Sequence, residues 1–296
     1  MVEAPGRSDS GRLIRPAIGP LRLLFASRAV RVPLLVLGVL GLLAMLAPWL
    51  LPYAPDQPIW EHALRSPTLL DGHWLGTDAI GRDMLARVLA GTGVSLSVGL
   101  GAGLLALAIG VLVGGLAGYL GGLVDELLMR LNDLFLSLPL LLIAILLMSL
   151  LEPSLPLLMA LIGTFGSLDA ARMLRLEARR LRDADFLLAV RLQGAGNSQL
   201  IGRHLLPNLA PVALTALGLV VPQAILVESF LAFLGLSPTE RIGSLGTLLA
   251  EGVQDLQWAP WTLLAPAMAL ALVLLGFGLL GDALRARLRV VTGAAL

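Results

Sequence analysis

Few side chains in this 296-residue chain can do more than pack, and they gather in three places. The first runs from His73 to Arg87, where Asp78, Arg82 and Asp83 stand within five positions between Gly76-Thr77 and Met84, with Gly81 among them. Carboxylates and a guanidinium so close could serve a catalytic or metal site. The expected role is plainer: a hydrogen-bonded turn that holds an outer loop against the following helix. The second place is the apolar run containing Gln223, Glu228 and Ser229. An ionisable group in such a run is a functional candidate by default. Glu228 could meet an amine or a cation in a transport path, or accept hydrogen bonds from neighbouring helices as a structural or gating group, which is the expected role. Asp169 lies three residues before Arg172, and a local ion pair is expected there. The third place is a basic island between Arg172 and Asn208.

Composition removes several classes of chemistry. There is no cysteine, so disulfides, thiolate metal sites and cysteine nucleophiles are excluded. The sequence also has no lysine, and a phosphate-binding Walker loop needs one. Any ATP that drives this protein is therefore expected on another subunit. His62, His73 and His204 fall on different sides of the expected topology and form no shared metal site. No Ser-His-Asp order with a nucleophile elbow is present, no nucleic-acid-binding module is found, and catalytic residues are expected to be absent.

The elements that position these groups are membrane helices. Hydrophobic residues make up 57% of the chain and charged residues 14%, against roughly 25% charged in soluble domains. Six apolar stretches approach the ~20 residues that cross a bilayer: Val32–Leu51, Val94–Leu120, Leu134–Leu151, Ser154–Ala171, Leu209–Leu236 and Ala259–Leu280. The fold expected is therefore all-α and polytopic. With the N-terminus in the cytosol, 17 of the 21 arginines lie on the cytosolic side, as the positive-inside rule requires. Both termini are placed there, in a multi-pass membrane protein.

The chain divides into a cytosolic N-terminal tail (1–31, retained rather than cleaved, its first twenty residues poorly ordered) and a first helix with an outer segment (32–93). A membrane core (94–284), containing the loop 172–208, and a cytosolic tail (285–296) follow. Gly110, Gly114, Gly118 and Gly122 recur every four residues, a spacing that lets helices approach closely. Leu151–Ser154 is short enough to force a hairpin. Pro222 is expected to bend or interrupt the fifth span, and Leu245–Val253 reads as a short amphipathic helix.

Within the basic loop, Asp185 can cap a helix over Phe186–Gln193 that Gly194 ends, and a second helix, capped by Asn197-Ser198, should stop at Pro207-Asn208. The first helix carries Phe186, Leu187, Val190 and Gln193 along one side. That side suits a groove on another protein, or equally the lipid surface.

These loop residues resemble the cytoplasmic "EAA" loop of bacterial ABC-importer permeases. The segment Leu188-Ala189-Val190-Arg191-Leu192-Gln193-Gly194, followed by Ile201-Gly202-Arg203-His204-Leu205-Leu206-Pro207-Asn208, matches it at Ala189, Gly194, His204, Leu206, Pro207 and Asn208. It departs at Leu188, where that family has glutamate, and at Val190. His73-Trp74-Leu75-Gly76-Thr77-Asp78, with Gly81-Arg82-Asp83, resembles the signature of the dipeptide/oligopeptide/nickel permeases, in particular their "C" subunit. Glu228 to Leu236 and Leu280-Gly281-Asp282-Ala283-Leu284-Arg285 are similar to two further signatures. Arg241-Ile242-Gly243-Ser244 departs where many relatives have tryptophan.

The resemblance implies a type I ABC importer permease with six transmembrane helices and a cytoplasmic coupling helix. ATPases would dock on Asp185-Phe186-Leu187-Leu188-Ala189-Val190-Arg191-Leu192-Gln193-Gly194-Ala195. It further implies a second, homologous permease, two ATPase subunits carrying ATP and magnesium, and a substrate-binding protein. Contact with membrane lipid is expected and nucleic acid is not. The cargo implied is a di- or oligopeptide, with nickel or another small solute as the alternative. A self-sufficient channel or carrier, or a membrane scaffold, is the rival class; a channel would need a chain of intramembrane ionisable groups.

Overall fold

A computed structural model describes residues 27–69, 71–238 and 242–292, and all its regular elements are helical. The first twenty residues and Arg241, read above from sequence, lie outside the described residues. Helix α1 spans Arg28–Leu50, and its first turn is capped by Ser27, whose Oγ accepts from the Val30 N–H at 3.3 Å. Helix α2 runs Met84–Leu120, 37 residues, about 55 Å at 1.5 Å per residue. It begins ten residues before the expected start of the second span, so the outer segment ends at Asp83. The turn chemistry stops at Gly81, and Gly91 and Gly93, which each weaken a helix by about 1 kcal/mol, do not end this one.

The third span is not one helix. Helices α3 (Gly122–Leu136) and α4 (Leu140–Leu150) meet at a 73° bend. Uniform apolarity hides this break, but Pro139 disfavours the helical conformation in the residue before it. Among the described residues, five helices are long and apolar enough to cross a membrane, or six if the bent pair counts as one span.

Helix α5 (Leu155–Arg182) starts at Ser154, whose Oγ accepts from Leu157 N, with Pro156 in its first turn, where a missing N–H costs nothing. It passes the expected end at Ala171 and carries the basic island to Arg182 as helix rather than loop. The short helix α6 spans Asp185–Leu192. Helix α7 then runs Asn197–Phe233 without the expected stop at Pro207-Asn208 and without interruption at Pro222. Its irregularity is a π-helical stretch, Leu200–Leu205, ahead of the regular segment in which Pro207 occupies the first turn. The wider π turn accommodates the proline that a regular helix interior would reject. Helix α8 (Leu245–Gln254) and helix α9 (Trp261–Thr292) follow, and α9 continues into the expected C-terminal tail as far as Thr292.

The centre of the bundle is the contact of α2 with α5. A Cβ at Gly110 would stand 2.8 Å from Ala170 Cβ, one at Gly114 would collide with the Ala171 carbonyl, and one at Gly118 with that of Arg175. Gly122 does not belong to this seam: it has φ +55° and open space around it, because α2 has already ended. Gly114→Val is expected to destabilise the protein by ~2 kcal/mol or more, read as a lower unfolding temperature in detergent. A second close crossing places Gly218 of α7 against Gly281 of α9, the Cα of Gly281 lying 3.0 Å from where a Gly218 Cβ would be.

Candidate functional site

The outer cap is built on one carboxylate. Asp78 Oδ1 accepts from the backbone N–H of Ile80 and of Arg82, and Oδ2 accepts from Arg82 Nε at 2.6 Å and Arg87 Nη1 at 2.7 Å. Both guanidiniums reach on to Glu251 of α8, at 3.0 and 2.8 Å. Thr77 adds a knot: its hydroxyl donates to the His62 carbonyl, and its own carbonyl accepts from Trp261 Nε1 at 3.0 Å. Gly76 and Gly81 both have φ near +80°, and a Cβ on Gly81 would collide with the Ile59 carbonyl. The turn expected around Asp78 is therefore a clamp that ties the outer segment to α2, α8 and α9. Glu251, the far partner, carries no local signal in the sequence.

Beneath the clamp, His73 and Asp83 are buried. His73 Nε2 lies 2.8 Å from His62 Nδ1, while His73 Nδ1 faces Asp83 Oδ2 at 3.9 Å, and the latter two atoms have no hydrogen-bond partner among the described residues. Burial pushes the Asp83 carboxyl up to about 6, against the pull of the Leu85 and Ala86 backbone N–H groups. Burial, with His62 and Arg65 nearby, holds His73 below the usual imidazole range. The Asp83 value is raised above that of the unfolded chain. The folded cap thus gains most from this group below pH ~4 and loses that gain as pH rises through about 6. His73 acts in the opposite sense, losing stability as pH falls. Asp83→Asn should therefore gain on the wild type, by ~1–2 kcal/mol between pH 5 and 7.5, in paired unfolding curves at the two pH values.

Glu228 is fully buried in α7. Its Oε2 accepts from Ser95 Oγ of α2 at 3.0 Å and from Ser229 Oγ at 3.3 Å, and Ser95 Oγ in turn accepts from the Leu245 N–H that opens α8. The carboxyl thus joins three helices near their outer ends.

At the end of the bundle opposite this cap, α6 ends in a Schellman arrangement. Gly194, at φ +88°, donates from N to the Arg191 carbonyl at 3.0 Å, and Ala195 donates to Val190 at 3.4 Å. Ala184, not Asp185, occupies the cap position. Phe186, Leu187 and Val190, three of the four residues expected to face a partner's groove or the lipid surface, are turned inward, with Leu187 only 1% exposed, while the fourth, Gln193, is open. The open side carries Asp185, Leu188, Ala189 and Leu192, and Leu192 is 89% exposed. This is the reverse of the sequence expectation, because the apolar stripe of α6 is consumed by its own bundle. Arg191 donates to Tyr119 Oη, which donates to Asn197 Oδ1, both at 3.2 Å, so α6 is tied to the end of α2 and the start of α7. Asn208 Nδ2 donates to the His204 carbonyl at 2.6 Å beside Pro207.

Arg175 of α5 grips Asp125 of α3 with two hydrogen bonds, one of 2.7 Å from Nη2 and another from Nε. A charged residue in the apolar start of α3 was the only sequence sign of this pair. Arg172 reaches Asp133 at 2.6 Å and not Asp169, overturning the expected local pair. Asp169 and Gln223 instead lie exposed on the wall of a cavity of about 540 Å³ between α5, α7 and the α3–α4 bend. Asp282 is exposed in the last third of α9. Among the described residues, no three histidine or carboxylate side chains are placed to hold a metal ion.

A bundle of five or six apolar helices, with a rigid helix braced on one end and a clamped cap on the other, defines a membrane transport subunit. The chain belongs to the family of binding-protein-dependent transport system inner membrane components, whose model matches residues 110–290. It is 40% identical over 259 residues to the oligopeptide transport system permease protein OppC of Escherichia coli K12, covering 88% of this chain and 86% of that one. It is also 35% identical over 285 residues to the dipeptide transport system permease protein DppC of Alkalihalophilus pseudofirmus, covering 95% and 92%. The OppC of Haemophilus influenzae is 35% identical over 264 residues, covering 89% and 85%. The protein is thus a multi-pass inner-membrane permease component of an ABC transporter.

Proposed function

We propose that this chain is one of two unlike permease subunits of an ATP-driven importer of di- or oligopeptides, which a binding protein delivers from outside. The second permease is homologous to it, and two ATPase subunits hold the ATP and magnesium. This chain itself hydrolyses nothing: with no lysine, it lacks the residue that a Walker loop uses to reach phosphate. Both termini lie in the cytosol, as the distribution of arginines supports. The observation that carries the reading is α6: a helix stopped sharply by Gly194, fixed inward by Leu187, and bare along Asp185, Leu188, Ala189 and Leu192. An ATPase that closes on ATP needs a stiff contact of this kind, since a flexible loop would absorb the stroke. The rival channel reading has no support in a chain of intramembrane ionisable groups, because Glu228 is sealed among serines.

The test is purification of the tagged chain from its own membranes in mild detergent, with partners identified by mass. Two ATPases and a second permease are expected with the wild type. Gly194→Asp should lose the ATPases and keep the second permease. Recovery of the chain alone, unchanged by the substitution, would refute the proposal.

A further inference from the structure

We infer that Asp169 is the site at which the translocation path of this permease recognises a positively charged amino group of its cargo. The inference rests on the importer function proposed above and adds a residue and a chemical criterion to it. Asp169 lies in α5, fourteen residues after Leu155. That is ~21 Å along the helix, two residues before the end of the apolar stretch Ser154–Ala171. A carboxylate within such a stretch is a functional candidate when no neighbouring charge compensates it. The nearest candidate in sequence, Arg172, is taken by Asp133 at 2.6 Å. Arg175 is taken by Asp125. No hydrogen bond or ion pair engages the Asp169 carboxylate among the described residues, and the side chain is exposed.

What it faces is a cavity of about 540 Å³, within the range of small-molecule sites. Apolar residues, among them Phe165, Pro222, Val227 and five leucines, make up the rest of the wall, and Asp169 and Gln223 are its only charged or amide-bearing members. Apolar walls accept varied side chains without selecting among them. One carboxylate and one amide in such a wall select what all peptides share, an ammonium group and a backbone amide. The charge match, together with room beside it for a ligand, favours a solute over an arginine of the neighbouring permease as the missing partner.

The experiment uses the complete transporter, with its second permease and ATPases, in proteoliposomes with binding protein saturated by peptide. Uptake of one tripeptide is compared with that of its N-acetylated form. The rate of each variant is divided by the wild-type rate, so that differences in delivery cancel. Asp169→Asn and Asp169→Ser are expected to lower the ratio about tenfold for the free-amine peptide and to leave it near one for the acetylated peptide. Asp169→Glu should keep most of the free-amine transport. ATP hydrolysis stimulated by loaded binding protein should persist in all three. Equal ratios for the two peptides would overturn the inference. So would a complex that loses the second permease, or fails to fold, in both neutral variants, since the carboxylate would then be an assembly or structural group. A wild-type transporter that carries neither peptide would instead refute the importer function beneath it.

Discussion

Leu192→Asp should leave the permease folded and paired with its sister subunit while cutting ATP-driven transport at least ~100-fold. Leu192 is 89% exposed, so the substitution removes no contact within the chain. On the docking proposed above, the cost falls on the docked state, where a carboxylate would be buried without a partner in the ATPase groove. That penalty is several kcal/mol, and ~2.8 kcal/mol already weakens an equilibrium a hundredfold. The control lies on the opposite side of the same helix. Leu187 is 1% exposed and packs into the main core, so Leu187→Asp should lower the yield and unfolding temperature of the permease itself. Co-purification and thermal unfolding of the two variants separate the outcomes. If both behave alike, the assignment of faces on α6 is wrong.

The second large effect is expected from Asp78→Ala. Removing one member of a buried ion pair leaves the other charge stranded, at a cost of ~3–5 kcal/mol. Asp78 and Arg87 are both buried, and Asp78 also holds Arg82 and two backbone N–H groups. Glu251 remains beside Arg87 and is 46% exposed, which brings the expected loss to the lower end, ~3 kcal/mol. Asp78→Asn keeps an oxygen for the backbone N–H groups and should fall between. Limited proteolysis from the outer side should cut residues 52–83 in Asp78→Ala at protease levels that spare the wild type. An unchanged digestion pattern would show that the cap is held by Thr77 and Trp261 alone.

How much of this was legible in the sequence depended on the range of the interaction. Hydropathy located the spans, because a bilayer imposes a length on each. Turn chemistry located α6 and its end, because a glycine at positive φ is a local requirement. The bend at Pro139 was missed because leucines on both sides keep hydropathy level across it. The exposed side of α6 was misread because an apolar stripe records only that something covers it, and here α5 and α7 do so. Pairing was misread for the same reason: Arg172 stands three residues from Asp169 yet reaches Asp133, and Arg87 meets Glu251 across 164 positions. Only packing decides such pairs.

The length of α2 has a mechanical consequence. Its outer end is clamped through Asp78 and Arg87 to α8, its middle is locked to α5 by Gly110, Gly114 and Gly118, and its inner end touches α6 through Tyr119 and Arg191. A rod ~55 Å long that is held at both ends and in the middle has no slack to take up a displacement. A shift of α6 is therefore carried along α2 to the cap rather than absorbed between them, and the two ends of the molecule share one shaft.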